Sequence, residues 1–298
     1  MSQSISNRNI KSALAPNPAI SKQSNEKNSS LGDFIQETLA LTQRLFIQLQ
    51  RRPSTLIAGV IQPFMWLILF GALFSKAPSG LFGNDLSYAK FLAPGVIVFT
   101  AFSGALNAGL PVMFDREFGF LNRLLVAPLS TRYSIVAAST VYIIALSFIQ
   151  TAVIILASAI LGAGLPGISG LSAIALLVFL IVLGVTALSL GLAFALPGHI
   201  ELIAVIFVTN LPLLFASTAL APLDFMAGWL QVIASLNPLT YAIEPIRYIY
   251  SHGDWAINSM VMDTPWIGFS FGGVILVLLA FDALVLLAIQ PLLRRRFA

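Results

Sequence analysis

The sequence predicts an all-α membrane protein. An N-terminal amphipathic helix lies in the membrane interface, six transmembrane helices follow, and short re-entrant or interfacial helices separate spans five and six, with both termini cytoplasmic. Three observations lead there. Of 298 residues, 58% are hydrophobic and 9% charged, whereas soluble domains average about 25% charged. The apolar residues come in long runs near the ~20 residues that a helix needs to cross a bilayer, unlike the short alternating segments of a membrane barrel. The charges cluster between those runs.

Each element follows in order. Residues 1–32 are rich in Ser, Asn and Gln with scattered charges and lack apolar periodicity; they read as a disordered cytoplasmic tail, and no apolar run follows the early charges as a signal peptide would require. From residue 33 the pattern changes. Phe34, Thr38, Leu41, Leu45 and Leu49 recur at helical spacing, with Asp33, Gln36, Glu37, Gln43 and Arg44 mainly on other faces, which predicts the interfacial helix. Spans are expected at about 54–74, 91–114, 133–161, 171–196, 200–220 and 266–290. Residues 133–200 contain no Asp, Glu, Lys or Arg and are too long for one crossing. The turn signal Gly162-Ala163-Gly164-Leu165-Pro166-Gly167 divides them, and Pro197-Gly198-His199 separates the fourth span from the fifth.

Orientation comes from Lys and Arg. Arg8, Lys11, Lys22, Lys27, Arg44, Arg51 and Arg52 precede the first span, Arg116, Arg123 and Arg132 lie between spans two and three, and Arg294, Arg295 and Arg296 close the chain. The opposite loops hold only Lys76, Lys90 and Arg247. The net charge of +4 therefore sets topology rather than signalling nucleic acid. Between spans five and six, Phe225, Met226, Trp229, Leu230, Ile233 and Leu236 suit one short helix, Asn237-Pro238 breaks it, and residues 240–250 suit a second. Such half-polar helices fit an outer interface or a re-entrant hairpin.

Chemical motifs are sparse. Cysteine is absent, which removes disulfides and thiol chemistry. No Gly-x-x-x-x-Gly-Lys-Ser/Thr phosphate loop and no paired Cys/His metal spacing occur, so no catalytic residue, metal site or cofactor of its own is expected; ATP hydrolysis would need a partner. His199 and His252 fall on opposite predicted sides.

Two segments carry a resemblance. Asp115-Arg116-Glu117-Phe118-Gly119-Phe120-Leu121-Asn122-Arg123-Leu124-Leu125-Val126-Ala127-Pro128 resembles the Arg-Glu-x-Gly…Leu…(Ala/Ser)-Pro cytoplasmic loop of ABC type-2 permeases. Pro222-Leu223, Trp229-Leu230 and Leu236-Asn237-Pro238-Leu239-Thr240-Tyr241-Ala242, running on to Glu244 and Arg247, resemble the Asn-Pro-Leu-Thr/Ser-Tyr motif before that family's last span. The resemblance covers residues 33–298.

It implies the membrane subunit of an exporter without an ATPase domain, working as a homodimer or with a related permease, beside two ATP-binding subunits that carry ATP and Mg²⁺. It also implies that Arg116, Glu117, Phe118, Gly119, Leu121, Arg123, Leu124 and Pro128 dock on the ATPase. The interfacial helix (Phe34, Leu41, Leu45, Leu49) would touch the same subunit. Trp229, Asn237, Pro238, Tyr241, Glu244 and Arg247 would form an outer gate. Family cargoes include antibiotics, lipids and polysaccharides, and the expected location is a plasma or bacterial inner membrane.

In the residues themselves, Arg116, Glu117 and Arg123 read as a charged face for an aqueous partner, with Phe118, Leu121 and Leu124 as apolar anchors. Asp282 is the one acid deep inside a span, a candidate to pair, protonate or meet cargo. Asn107, Gln150 and Asn210 read as helix-to-helix glue. Two other readings stand beside the exporter: an ion-coupled secondary transporter, which would lean on Asp282, and a membrane assembly protein that transports nothing.

Overall fold

The computed structural model describes residues 31–74, 76, 87–120, 133–253 and 255–297. The expectations placed on the 1–30 tail and on Leu121, Arg123, Leu124 and Pro128 fall outside these residues. Ten α-helices and one β-hairpin are described. They run α1 (Leu31–Arg51), α2 (Ser54–Leu73), α3 (Tyr88–Leu106), α4 (Gly109–Glu117), α5 (Tyr133–Ser158), α6 (Ile168–Ala195), α7 (His199–Phe215), α8 (Gly228–Leu236), α9 (Pro238–His252), β1 (Met260–Asp263), β2 (Gly268–Ser270) and α10 (Phe271–Phe297).

Five helical stretches among the described residues are long and apolar enough to cross a membrane: α2, α3 with α4, α5, α6 and α10. The fifth expected span is shorter than predicted. α7 has 17 residues, about 26 Å at 1.5 Å per residue, against a hydrocarbon core of about 30 Å. Residues 216–222 turn away, so the apolar run to Leu220 overstates the helix.

α6 is apolar on every side and buried on most, as a core helix should be. It packs against α3, α4, α5, α9 and α10. Its pairing with α10 follows a heptad: Gly184 faces Asp282 and Gly191 faces Ile289, with no room for a Cβ at either glycine. Close backbone approach through small residues is the usual way for helices to associate where lipid removes the hydrophobic drive. α5 ends in a π-turn, Ala159–Ala163, with positive φ at Gly162 and Gly164, conformations open to glycine at little cost.

The second span is not one helix. It breaks at Asn107-Ala108, and Ser189 of α6 is keyed into the break. The Ser189 hydroxyl donates to Leu106 O (2.6 Å) and accepts from Gly109 N (2.9 Å). A Cβ on Gly109 would meet Ser189 O at 2.4 Å.

The sixth span also starts later than predicted, at Phe271 rather than Trp266. Residues 260–270 form an antiparallel hairpin instead, the one departure from an all-α architecture among the described residues. Thr264 closes its turn, its hydroxyl donating to Ile267 O (2.6 Å) and accepting from Ile267 N (3.1 Å). The approach to the hairpin then satisfies the first amides of α10: Phe271 N donates to Ser259 O and Gly272 N to Ile257 O. Helix-initial N–H groups need such partners, which apolar run length cannot reveal.

Replacing Ser189 by Ala leaves one carbonyl and one amide orphaned, at about 1–3 kcal/mol per buried group. The expected result is a lower thermal midpoint in detergent for Ser189→Ala and a larger drop for Gly109→Ala. Ser172→Ala, which loses only an exposed bond to Ser169 O, serves as the unchanged control.

Candidate functional site

The bundle has two polar ends, and both converge on α7. At one end α4 stops at Asp115-Arg116-Glu117 beside the turn 196–198 that joins α6 to α7. The last carbonyls of α6 and the first amides of α7 lack intrahelical partners. Arg116 donates to Ala193 O (2.7 Å), Leu196 O (2.6 Å) and Pro197 O (2.6 Å). Glu117 accepts from His199 N (3.1 Å) and its other oxygen pairs with His199 Nδ1. A cation therefore sits at a helix C-terminus and an anion at a helix N-terminus, each opposite the sign of the local dipole. Gly198 is required by this approach, because a Cβ there would lie 2.6 Å from Glu117 Oε1.

α1 is tied to the same end. Arg44 pairs with Asp115 (3.5 Å) and stacks over the Phe120 ring (4.0 Å), while Ser134 donates to Glu37 (2.9 Å). Leu45 and Leu49 pack on the main core and Leu41 on a smaller cluster of Val112, Ile135, Leu190 and Phe194; Phe34 is half-buried. Arg116 and Glu117 thus bond to the 196–199 segment, and Glu117 does so at the surface. Their neighbour Phe118 does face outward, 77% exposed. It stacks on Phe114, and the chain then turns at Gly119 with φ +76°.

At the other end α9 holds the C-terminus of α7. Asn237 Nδ2 donates to Leu213 O (2.7 Å) and Ala216 O (2.6 Å), while its Oδ1 accepts from Leu239 N (2.9 Å). Asn is a favoured N-cap and Pro238 suits the first helical position, so Asn237 caps α9 and closes α7 together. Arg247, 8% exposed, donates to Phe91 O (3.4 Å) and Thr218 O, pairs with Glu244 and lies 3.9 Å above the Phe91 ring. Tyr241 is buried edge-on to Phe269. Trp229 is 68% exposed on α8. The expected gate residues therefore divide: Trp229 is at the surface, Asn237 and Arg247 with its partner Glu244 hold the end of α7 and the segment after it, Pro238 starts α9, and Tyr241 packs on the hairpin.

Between these ends lies a cavity of about 550 Å³ walled by α2, α3, α4, α5 and α7. Ser103 of α3, Asn107 at the α3–α4 break, Gln150 of α5 and Asn210 of α7 line it, with Gln62 of α2 and Tyr142 of α5, and no lining residue is charged at neutral pH. Gln150 lies between two glycines: a Cβ on Gly59 would meet its Nε2 at 2.1 Å and one on Gly104 its Oε1 at 3.1 Å. Asn210 donates to Ser103 Oγ (3.3 Å). Gln150 Oε1 and Asn210 Oδ1 are buried without hydrogen-bond partners among the described residues. Past the cavity, toward the α9 end, Trp66 stacks on Phe99 (5.8 Å) and meets Phe215 (6.2 Å), joining α2, α3 and α7.

The amides thus do more than glue helices. Asn210 does bridge α7 to α3, yet Asn107, Gln150 and Asn210 share one cavity that sequence reading missed. Period alone shows which face of a helix is polar but not which helices are neighbours; the available signal was Gly59 and Gly104, small residues that leave space for a long polar side chain. Asp282 lies elsewhere. It is 4% exposed between α10 and α6, against Gly184, and neither carboxylate oxygen has a hydrogen-bond partner among the described residues. It does not line the cavity.

Fold and site together define a multi-pass helical membrane protein built around an uncharged polar cavity. Residues 36–251 match the family described as ABC-2 type transporter, and the chain belongs to that family. The ycf38 protein of Cyanophora paradoxa, named as a candidate transport permease, is 52% identical over 283 residues, 94% of this chain and 98% of its own length. The ycf38 protein of Porphyra purpurea is 54% identical over 264 residues, 89% and 91% of the two chains. DrrC of Mycobacterium tuberculosis, named as a probable doxorubicin resistance ABC transporter permease, is 25% identical over 239 residues, 78% and 83% of the two chains. The protein is a membrane transport permease subunit, and permeases of ABC transporters work with an ATP-binding subunit.

The two joints on α7 make separate predictions. Asn237→Ala orphans two carbonyls and an amide, at about 1–3 kcal/mol each where buried, and should lower the thermal midpoint. Asn237→Asp keeps a good cap for Leu239 but sets a carboxylate against two carbonyls, so it should not restore stability. Glu117→Ala should act locally, with hydrogen exchange accelerating at the amides of 199–202 while α6 and α10 exchange as before.

Proposed function

We propose that this chain forms the cargo pathway of an ATP-driven exporter. It works as a dimer with itself or a related permease, coupled through residues 115–128 to separate ATP-binding subunits that hold ATP and Mg²⁺. The observation that carries this reading is the grip of Arg116 and Glu117 on both sides of the α6–α7 turn. A displacement of the 115–128 segment would pass through that grip to α7, which walls the cavity. In this reading the two charged residues also transmit to the α6–α7 turn, while Phe118 supplies the apolar contact for docking.

In this reading the Arg116 end faces the cytoplasm, as the Lys and Arg distribution implies, and α1 lies along the membrane surface with Leu31, Ile35 and Leu39 exposed. α7 then counts as the sixth crossing, and the cavity opens toward the cytoplasmic half, with Trp66, Phe99 and Phe215 closing it outward. The weakly covered faces of α2 and α7, where Ile57, Ile61, Phe207 and Val208 are exposed, are where a second permease copy would sit. A bacterial-type inner membrane fits this arrangement.

The test is co-purification of tagged permease with its ATP-binding subunit, followed by ATP hydrolysis in proteoliposomes. Wild type should retain the ATPase. Phe118→Asp should lose it and cut permease-dependent hydrolysis at least about tenfold, a change of about 1.4 kcal/mol in the association, with the thermal midpoint unchanged. Retention of the ATPase by a folded Phe118→Asp protein would rule out docking through this residue.

A further inference from the structure

We infer that the cavity takes an uncharged, hydroxyl-bearing amphiphile: a sugar or polyol head against Gln150 and Asn210, with its hydrocarbon chain leaving between α2 and α7. This rests on reading the chain as the cargo-conducting permease. The first argument is charge. None of the lining side chains is an acid, a base or otherwise charged at neutral pH, and a fixed charge brought into a low-dielectric space without a counter-charge is strongly disfavoured.

The second argument is unsatisfied hydrogen bonding. Gln150 is 2% exposed, and its Oε1 is buried beside the cavity without a partner among the described residues; Asn210 Oδ1 likewise lacks a partner among them. Buried polar atoms are otherwise almost always bonded. Each side chain is an amide, presenting a carbonyl acceptor and NH₂ donors on one group. A hydroxyl, which is donor and acceptor at once, matches that pair; a quaternary ammonium donates nothing, and a phosphate or sulfate adds acceptors where acceptors are already in excess.

The third argument is shape. Ile143, Leu146, Ile206 and Phe207 are among the residues of the apolar part of the wall. At about 550 Å³ the cavity falls within the range of small-molecule sites, roughly 300–1,000 Å³, enough for a head group and the first part of a chain. α2 and α7 meet through Trp66 and Phe215 beyond the cavity. Ile203 and Phe207, on the cavity side of α7, are exposed, which leaves a lateral path for the chain.

The deciding measurement uses the unmodified protein in phosphatidylcholine nanodiscs. Three photoactivatable lipids share the same acyl chains and differ only in the head: glucosyl, phosphoglycerol or trimethylammonium. The glucosyl lipid should label peptides of α2, α3, α5 or α7 at least about tenfold more than either charged lipid, corresponding to about 1.4 kcal/mol of preference. Gln150→Leu and Asn210→Leu should each reduce that labelling to the level of the charged heads.

A photoactivatable octyl glucoside, added from water, separates the two sources of such a molecule. Labelling by the glucosyl lipid alone assigns entry from the bilayer, labelling by the octyl glycoside alone assigns entry from the aqueous side, and either supports the inference. Equal or stronger labelling of the cavity helices by a charged head, or labelling confined to the outer face of α10, would overturn it. Loss of ATPase association would instead sink the exporter reading and leave the measured head-group preference untouched.

Discussion

The constraint on which the molecule turns is that a helix end leaves backbone groups unpaired, and a membrane interior offers no water to satisfy them. α7 shows how much follows from it. Only Leu202, Ile206 and Leu214 of its side chains are buried, so lateral packing holds it weakly. Its ends are held instead: Glu117 at the first amides, Asn237 at the last carbonyls, and Arg247 on the segment just beyond. Each of these side chains belongs to a different helix from α7, so helix termination and tertiary assembly are the same interaction here.

This gives the cavity one wall of a different character from the rest. α3, α5 and α6 interlock through buried apolar faces and glycine contacts, and interiors packed in that way resist small displacements. α7 has no comparable interlock. Relocating it means exchanging a few directional bonds at two defined places rather than repacking a core, which suits a wall that must rearrange around cargo.

The sequence made the membrane class, the helix at 31–51 and most of the long apolar helices legible, because hydropathy over about 20 residues follows directly from bilayer thickness. It did not show where three of the helices stop. The Asn107-Ala108 break depends on Ser189, 80 residues away in sequence; the end of α7 depends on Asn237; the start of α10 depends on a hairpin whose strands are too short to stand out. The two motifs drew notice as family signatures, and their positions in the chain gave no hint that both act on α7. The cavity was illegible for a related reason: its four amides come from three helices and one helix break, and periodicity within one helix says nothing of which others lie beside it.

The hydroxyl of Ser189 has a mechanical consequence. A break in a helix is ordinarily a joint, but this one is pinned, since flexing at 107–108 would orphan Leu106 O and Gly109 N at about 1–3 kcal/mol each. α4 and α6 therefore behave as one stiff lever, with Arg116 binding its far end to the α6 terminus. Among the described residues, a load applied to that lever reaches α7 through the short strap at Pro197-Gly198, where even a methyl group on the glycine would push the Glu117 carboxylate aside.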